Sequence, residues 1–514
     1  MKDSPVLTTM DQLLNNVGTT ENGARTHIAS GSKLVDFFDA MGGKRHAPLE
    51  ILPYFDAAWD EDPLNAMKLV FHLRNPRGGL GERRVFDVLV KHLLESSCPH
   101  KRMAISANIH LMAKYGRWDD LLIVHEFGRR APSVNEDTPS VIASRMLLNQ
   151  LSADLKQAAD PEFKVSLVAK WLPSENASSK GTRKLAHRLM KEWGWNTKKY
   201  RQALKVCRRA LGDAVVETKM SARQFEDIEF SNVCSKAGLN YREAFHKRSK
   251  VKYEKWLEDV KEGKVKVNAS VLHPHEIAFQ AALVDHSPAQ RMALDNAWNA
   301  LPDYDLAGDA AVVVDVSASM TFEPVSGRTY PIHVATALGL YLSERNRGLF
   351  HKHVITFDDE PQLVKLAEGD VVDKIKQLED IPWGGSTNLQ GTFDLILESA
   401  KKSKASNEDM PKYIYIITDG EFNQMVDRHT ETNYEAVKAK FADAGYDMPV
   451  LVFWNVQKRN ASVAMKSNDY GMLVSGFSPA ILEAVMRAEE INPYDCMLAA
   501  IEPYYDVDLT LDTV

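Results

Sequence analysis

The chain has 514 residues, and a single hydrophobic core stops growing at about 250–300 residues, so we expect two or three domains. Its 44% hydrophobic, 26% charged and 9% aromatic residues are ordinary for a globular protein and exclude a disordered or collagen-like chain. Its 4 cysteines form no C-x-x-C pair, which argues against a disulfide framework and indicates a reducing, cytoplasmic setting. The sequence also lacks the pattern of a signal peptide and any apolar run of membrane-spanning length.

The net charge of −7 is the sum of two halves of opposite sign. Residues 301–514 hold 18 Lys and Arg against 34 Asp and Glu, a balance of −16. Residues 1–300 hold 45 against 36, a balance of +9. This asymmetry indicates that the first half meets a polyanion or a membrane surface and that the second half does not.

Helical periodicity dominates the first half. From about Met10 to Trp298, apolar residues return every three or four positions, and turn clusters such as 74–79 and 273–275 separate the periodic segments. Helices of about 12–18 residues joined by short turns predict stacked antiparallel pairs. We therefore expect an α-solenoid of HEAT-like helix pairs, with a globular helical bundle as the alternative.

Strands and helices alternate in the second half. The continuous apolar runs 310–314, 413–417 and 450–454 are typical of central parallel strands that are buried on both faces. Helical segments are predicted at 332–345, 371–378, 389–400 and 434–444, and an antiparallel edge hairpin at 353–366. This order predicts a doubly wound α/β sheet. We divide the chain into a helical domain at 1–305, an α/β domain at 306–490 and an acidic C-terminal tail at 491–514.

Oxygen-bearing side chains follow the buried runs, at the sheet edge where open α/β folds bind their ligands. Asp315, Ser317 and Ser319 follow the first run, and Asp419 follows the second. Thr387 stands between them in a Gly-rich loop that opens a helix. An all-oxygen set of this kind suits Mg²⁺ or Mn²⁺ and is poor for zinc. The alternative is a serine-rich turn in which an aspartate caps a helix.

The segments D-V-S-A-S, G-G-S-T-N and T-D-G resemble the metal-ion-dependent adhesion site of von Willebrand factor A domains, and the resemblance covers about residues 308–488. It implies that Ser317, Ser319 and Thr387 contact the ion directly or through water. It also implies that Asp315 and Asp419 bind the ion directly or through bridging waters. In this family an acidic group from a protein partner fills the open coordination position.

Basic residues concentrate in the helical half between Lys164 and Lys255, with aromatic residues such as Trp171, Trp193 and Tyr200 among them. Basic side chains neutralise phosphates and aromatic rings stack on unpaired bases, so the pattern indicates binding of single-stranded nucleic acid. The alternative is an ordinary solvated helix face, with the tryptophans in the core.

A second resemblance covers nearly the whole chain. A helical half followed by a von Willebrand A domain resembles the Ro-type RNA-binding proteins, whose TROVE module is a ring of HEAT-like helix pairs. The matching segments are F-H-L-R-N-P-R-G-G-L-G-E-R-R at 71–84 and Y-G-R-W-D-D-L-L at 115–122. Uncharacterised microbial and phage relatives are similar in K-W-L-P-S-E-N at 170–176, Y-R-Q-A-L at 200–204 and L-H-P-H-E-I at 272–277.

The resemblance implies a monomeric, non-catalytic protein that binds single-stranded RNA ends through a basic hole and small structured RNA on its outer face. Charge and proximity to the matched segments select the expected RNA contacts: Arg74, Arg77, Arg117, Lys180, Arg183, Lys184, His187 and Arg188. One alternative is a protein-interaction adaptor with a metal-dependent A domain, for example with an AAA+ ATPase. Another is a metal-dependent nuclease, for which Glu421 is the only plausible additional carboxylate.

Overall fold

The computed structural model describes residues 16–20, 22–131, 137–160, 163–283, 286–304, 309–357, 360–381, 388–421, 432–460, 462–485 and 490–510. Within these ranges the chain up to residue 304 is helical apart from one short hairpin, and the remainder contains a six-stranded sheet with helices. The predicted fold class, a helical region followed by an α/β domain, is confirmed. None of the helices in these ranges combines the length and the hydropathy needed to cross a membrane.

The helical region begins with an antiparallel hairpin of β1 (Val17–Thr19) and β2 (Arg25–His27), where the sequence predicts helix. The helices that follow are α1 (Lys33–Gly43), α2 (Leu52–Glu61), α3 (Pro63–Arg74), α4 (Arg84–Glu95), α5 (Pro99–Ala107), α6 (Met112–Tyr115), α7 (Asp120–Phe127), α8 (Pro139–Gln157), α9 (Val168–Trp171), α10 (Lys180–Glu192), α11 (Thr197–Ala210), α12 (Glu217–Ser221), α13 (Ser235–Arg248), α14 (Lys250–Lys261), α15 (Pro274–Ala281) and α16 (Pro288–Asn299). Side chains cap several N-termini, such as Ser179 at α10 and Asn196 at α11. Consecutive helices pack on one another, including α1 on α2 and α7 on α8.

The C-terminal domain is built on β3 (Ala310–Asp315), β4 (His353–Phe357), β5 (Gln362–Lys365), β6 (Tyr413–Thr418), β7 (Val450–Asn455) and β8 (Gly471–Ser475). Its helices are α17 (Pro331–Arg345), α18 (Val371–Glu379), α19 (Leu389–Ser403), α20 (Asn433–Ala444), α21 (Ile481–Val485) and α22 (Pro493–Ile501). The strand order is β5-β4-β3-β6-β7-β8, and every pair is parallel except β4 with β5. The edge hairpin is therefore confirmed, and β8 is a strand that the sequence analysis did not predict.

The C-terminal domain contacts both the first and the last helix of the helical region. At α1, the backbone N–H of Gly42 donates to Ser475 Oγ over 3.1 Å, and the buried Lys458 ammonium pairs with Asp39. At α16, the Arg291 guanidinium donates two hydrogen bonds of 2.7 Å to Asp370. These contacts join the two ends of the helical region within one chain.

Residues 491–514 were expected to form an acidic tail, and the structure corrects this expectation. Residues 493–501 form α22, in which Cys496 and Met497 are fully buried. The chain then crosses onto the helical region, where Asp506 pairs with Lys114. The apolar residues of this segment lie at helical spacing, so their burial outweighs the acidic composition.

Candidate functional site

The candidate metal site lies between the carboxyl ends of β3 and β6. These strands are parallel neighbours in which Val314 pairs with Ile417, so that Asp315 and Asp419 both emerge at the same edge of the sheet. In the strand order, β4 lies next to β3 on one side and β7 lies next to β6 on the other, so the chain leaves β3 and β6 in opposite directions along the sheet. The site therefore occupies a topological switch point, where loops diverge and leave a crevice for a ligand.

Asp315 and the two serines are held by short hydrogen bonds. Asp315 Oδ1 accepts from the backbone N–H of Ser317 over 3.0 Å, and Oδ2 accepts from the Thr418 hydroxyl over 2.7 Å. The hydroxyl oxygens of Ser317 and Ser319 are 3.0 Å apart. Thr418 was not among the predicted residues, and its role is to orient the Asp315 carboxylate.

Asp419 lies on the opposite side of the crevice and is almost completely buried. Its Oδ1 accepts from the backbone N–H of Glu421 over 3.3 Å. This turn requires Gly420, whose φ of +85° is a conformation that L side chains rarely adopt. Asp419 Oδ2 accepts no hydrogen bond from the residues the structure describes, and Arg459 Nη2 lies 3.4 Å from it.

The carboxylates of Asp315 and Asp419 are buried and repel each other, so it is unfavourable for both to be charged when no cation is bound. Burial, and then the negative charge of Asp419, raise the pKa of Asp315 above its ordinary value. Burial also raises the pKa of Asp419, although the Arg459 guanidinium acts in the opposite direction. A bound cation would offset the repulsion between the two buried carboxylates.

This donor set fits a hard divalent ion. Asp315, Ser317, Ser319 and Asp419 supply only oxygen atoms, the ligands that Mg²⁺ and Mn²⁺ prefer. No group of three or more His, Cys, Asp or Glu side chains that could hold a metal is found in the part of the chain that the structure describes, and this site combines two carboxylates with two hydroxyls. The fifth predicted ligand, Thr387, lies outside the described residues, and its role stays a prediction.

Two further side chains at the site were not predicted as part of it. Arg459 donates to the backbone carbonyl of Ser319 and, over 3.2 Å, to Gln457 Oε1. Asn460 donates over 2.9 Å to Oε1 of Glu421. Both follow the end of β7, so their position near this edge of the sheet was predictable from sequence, whereas their contacts with Ser319 and Glu421 depend on the tertiary structure. Glu421, the candidate extra carboxylate of a nuclease, is thus engaged by Asn460.

Five of the eight predicted RNA contacts lie on one face of α10. Their spacing follows the helical repeat, opposite the buried side of the helix at Ala186, Leu189 and Met190. The five residues are Lys180, Arg183, Lys184, His187 and Arg188. Lys180, Lys184 and His187 are exposed, whereas Arg183 turns back to donate to two carbonyl oxygens, those of Ala177 and Ser178.

The other three predicted contacts lie on different elements. Arg74 is 3% exposed and donates over 3.0 Å to Asp120, so it belongs to the interior, which corrects its prediction as an RNA contact. Arg117 is half-buried, with its guanidinium 5.4 Å from the centre of the Trp171 ring. Arg77 is exposed.

The aromatic residues of the basic segment contribute mainly to packing. Tyr200 is fully buried, and the Trp193 indole donates over 3.0 Å to the Ser144 hydroxyl. Trp193 also packs edge-on against Trp195. These rings are engaged within the helical region, so the basic faces rely on charge more than on stacking.

Comparisons with known proteins identify similar chains. Residues 20–130 and 140–303 match a family described as a domain of unknown function (DUF2828), and residues 309–502 match a second domain of unknown function (DUF7788). An uncharacterised protein of Acanthamoeba polyphaga mimivirus is 32% identical over 524 residues, covering 95% of this chain and 88% of that protein. Among solved structures, the Ro (RSR) protein of Deinococcus radiodurans is similar with a TM-score of 0.46 and 14% identity, over 88% of this chain and 93% of that chain. The two family matches meet between α16 and β3.

Proposed function

We propose that this chain, which belongs to the DUF2828 family, is an RNA-binding protein without catalytic activity. Its helical half binds single-stranded RNA ends and small structured RNA through basic surfaces. Its C-terminal domain holds Mg²⁺ or Mn²⁺ at the crevice between β3 and β6, and there docks an acidic group of a protein partner. The ion would supply a fixed positive charge, and the chain's own residues hold and orient the oxygen ligands.

The observation that carries the RNA-binding part is the basic face of α10. Lys180, Lys184 and His187 are exposed on this face, in a half of the chain with a balance of +9. Basic side chains bind a phosphate backbone because they displace its condensed counterions, which gains entropy. The C-terminal half, with a balance of −16, repels a polyanion. RNA would therefore contact the helical half.

The metal-binding part is supported by the four oxygen ligands and by their burial. Asp315, Ser317 and Asp419 are each at most 1% exposed, so two negative charges stand in a poorly solvated crevice. A cation bound there offsets the free-energy cost of burying the two negative charges. In the alternative function, a protein-interaction adaptor, the same crevice docks a protein partner and the helical half binds no RNA.

The RNA-binding proposal is tested on the purified full-length protein. We expect the ratio of absorbance at 260 nm to that at 280 nm to fall after RNase treatment and repurification. We also expect a mobility shift of added RNA that weakens steeply as salt rises. A protein that carries no nucleic acid and causes no salt-dependent shift would favour the adaptor.

The same preparation tests the absence of catalysis. RNA that has been incubated for a long time with the protein and Mn²⁺ should remain intact on a denaturing gel. Cleavage that requires Mn²⁺ and is lost on Asp315→Asn substitution would instead indicate a metal-dependent nuclease.

A further inference from the structure

A basic groove lies along one face of α11, and none of the residues that line it is among those predicted to contact RNA. Its other walls are the turn at 174–176 and the segment 212–224, and its volume is about 570 Å³. The charged side chains that line it are Glu175, Arg201, Lys205, Arg208, Arg209 and Lys219. Glu175 is the one acidic residue among the described residues that line the groove.

The walls of the groove are held in place by hydrogen bonds. The Tyr200 hydroxyl donates over 2.7 Å to the carbonyl of Pro173, and Arg201 Nε donates over 2.6 Å to Glu175. The Arg208 guanidinium donates three bonds of 2.8 Å, to the carbonyls of Ala169 and Leu172 and to the Ser174 hydroxyl. The segments K-W-L-P-S-E-N and Y-R-Q-A-L thus form one rigid unit. A preformed groove loses little conformational entropy when it binds a ligand.

Two cations of the groove have no partner among the residues that the structure describes. Lys205 and Arg209 are exposed and form no hydrogen bond or ion pair with the residues that the structure describes. The remaining charges are engaged: Glu175 with Arg201, and Lys219 with Asp213 over 2.8 Å. The net positive charge of the groove therefore faces solvent at Lys205 and Arg209.

We propose that this groove binds the sugar–phosphate backbone of single-stranded RNA, an inference that rests on the proposed function. Lys205 and Arg209 contact phosphates, and the polar side chains of Asn176, Thr218 and Gln224 lie within the same groove and can bond ribose hydroxyls. No aromatic ring lines the groove among the described residues, so bases are not stacked there. Binding is then indifferent to base sequence and strongly dependent on salt.

The test compares two double variants of the full-length protein by fluorescence anisotropy with a short labelled oligouridylate. Lys205→Glu with Arg209→Glu reverses the two free charges of the groove. Lys247→Glu with Arg248→Glu is the matched control, because these exposed residues of α13 are also one Lys and one Arg near a helix C-terminus. We expect the groove variant to bind at least about tenfold more weakly and its salt slope to fall by about 0.7 for each lost phosphate contact. The control should bind nearly as the wild type does.

Further measurements separate the possible failures. The neutral pair Lys205→Gln with Arg209→Gln should give a smaller loss in the same direction, and circular dichroism checks that α11 remains folded. A wild type that does not bind the oligouridylate would sink the proposed function itself. If the wild type binds the oligouridylate but both double variants bind it equally weakly, the groove proposal is wrong. It is also wrong if the groove variant binds as tightly as the wild type. In both cases the proposed function itself is unaffected. Tighter binding of polyglutamate than of oligouridylate at equal charge, lost in the groove variant, would show an acidic-peptide site instead.

Discussion

Arg459 places a fixed positive charge beside the two carboxylates of the metal site. Its guanidinium is 3.4 Å from Asp419 Oδ2 and also donates to the Ser319 carbonyl, so it is held on both sides of the crevice. A cation so close to a ligand oxygen repels a second cation by Coulomb interaction, and burial strengthens that repulsion. The arginine therefore weakens ion binding and partly neutralises the site when no ion is bound.

This arrangement predicts opposite effects for two single substitutions. Asp315→Asn removes a ligand charge and should lower the affinity for Mn²⁺ by at least about tenfold, whereas Arg459→Gln should raise it by roughly tenfold. Mn²⁺ titration followed by electron paramagnetic resonance or calorimetry measures both. RNA affinity should remain nearly unchanged in both variants, since the helical half binds the RNA.

Arg345→Gln provides a control for the loss of a positive charge, because Arg345 stacks on Tyr341 at the end of α17 that lies away from the crevice. Its Mn²⁺ affinity should equal that of the wild type. Weaker Mn²⁺ binding by Arg459→Gln would mean that the arginine organises the ligands rather than opposing the ion.

The sequence predicts individual residues well where a local rule fixes their position. Asp315 and Asp419 could be placed together because parallel strands end at the same edge of a sheet. Arg459 could not, since the path of the loop after β7 depends on how it packs against α1. The sequence around Arg74 is typical of an exposed basic residue near a turn. Its partner Asp120 is 46 residues away in sequence, so only the tertiary structure shows that the two side chains are paired.

The contact between α1 and the sheet depends on a helical glycine. A Cβ atom at Gly42 would lie 2.5 Å from the backbone of Ser475 and Gly476, closer than real side-chain contacts. The helix therefore packs directly on the backbone that follows β8. Neither the helix nor this backbone can shift easily, because the Asp39 to Lys458 ion pair is buried beside them.

Gly42→Ala should therefore destabilise the protein by about 1–3 kcal/mol, the usual cost of overpacking. Gly238→Ala is the matched control, because Gly238 also lies within a helix and no atom of the described residues lies within 4 Å of its added Cβ. This control should raise stability by about 0.5–1 kcal/mol through helix propensity. Urea unfolding followed by circular dichroism compares the two. Equal midpoints for both variants would contradict the close packing of α1.

Elements with long, regular patterns could be predicted from sequence, and short or mixed ones could not. The runs that became β3, β6 and β7 are apolar throughout, as parallel central strands require. β8 has 5 residues and begins with a glycine, which obscures its strand pattern. α22 has 9 residues and is followed by Glu502, Asp506 and Asp508, so the acidic composition of the whole segment indicated a tail while the helical spacing of its apolar residues indicated packing.

Buried histidines lie where the two halves of the molecule meet. His72 packs edge-on against Tyr504, with ring centres 5.9 Å apart, and His275 packs against Phe477 at 5.0 Å. His275 also stacks on His273. Burial lowers the pKa of His72 and of His273 to about 4, and lowers that of His275 well below its ordinary value. Protonation of these rings is therefore linked to separation of the halves.

The sign of this linkage follows from the direction of the pKa shifts. An unfolded histidine has a pKa of about 6.5, so below that pH the unfolded chain binds protons that the folded chain does not. Stability should therefore fall as the pH drops from about 6.5 towards 4, by up to about 1.4 kcal/mol per pH unit for each buried histidine. The raised pKa values of the buried Asp39 and Glu82 act in the opposite direction, so the contribution of one histidine has to be isolated by comparison.

We expect the melting temperature of the wild type to fall more steeply between pH 7 and pH 5 than that of His275→Gln, because glutamine does not titrate. At pH 7 the variant has the lower melting temperature, since the packing of the His275 ring on Phe477 is lost. His187→Gln provides the control, because His187 is exposed on α10 and should leave the slope unchanged. Parallel profiles for wild type and His275→Gln would show that this contact between the halves is not linked to protonation. A flatter profile for His275→Gln alone would identify the ring as one of the groups through which acid loosens the joined halves.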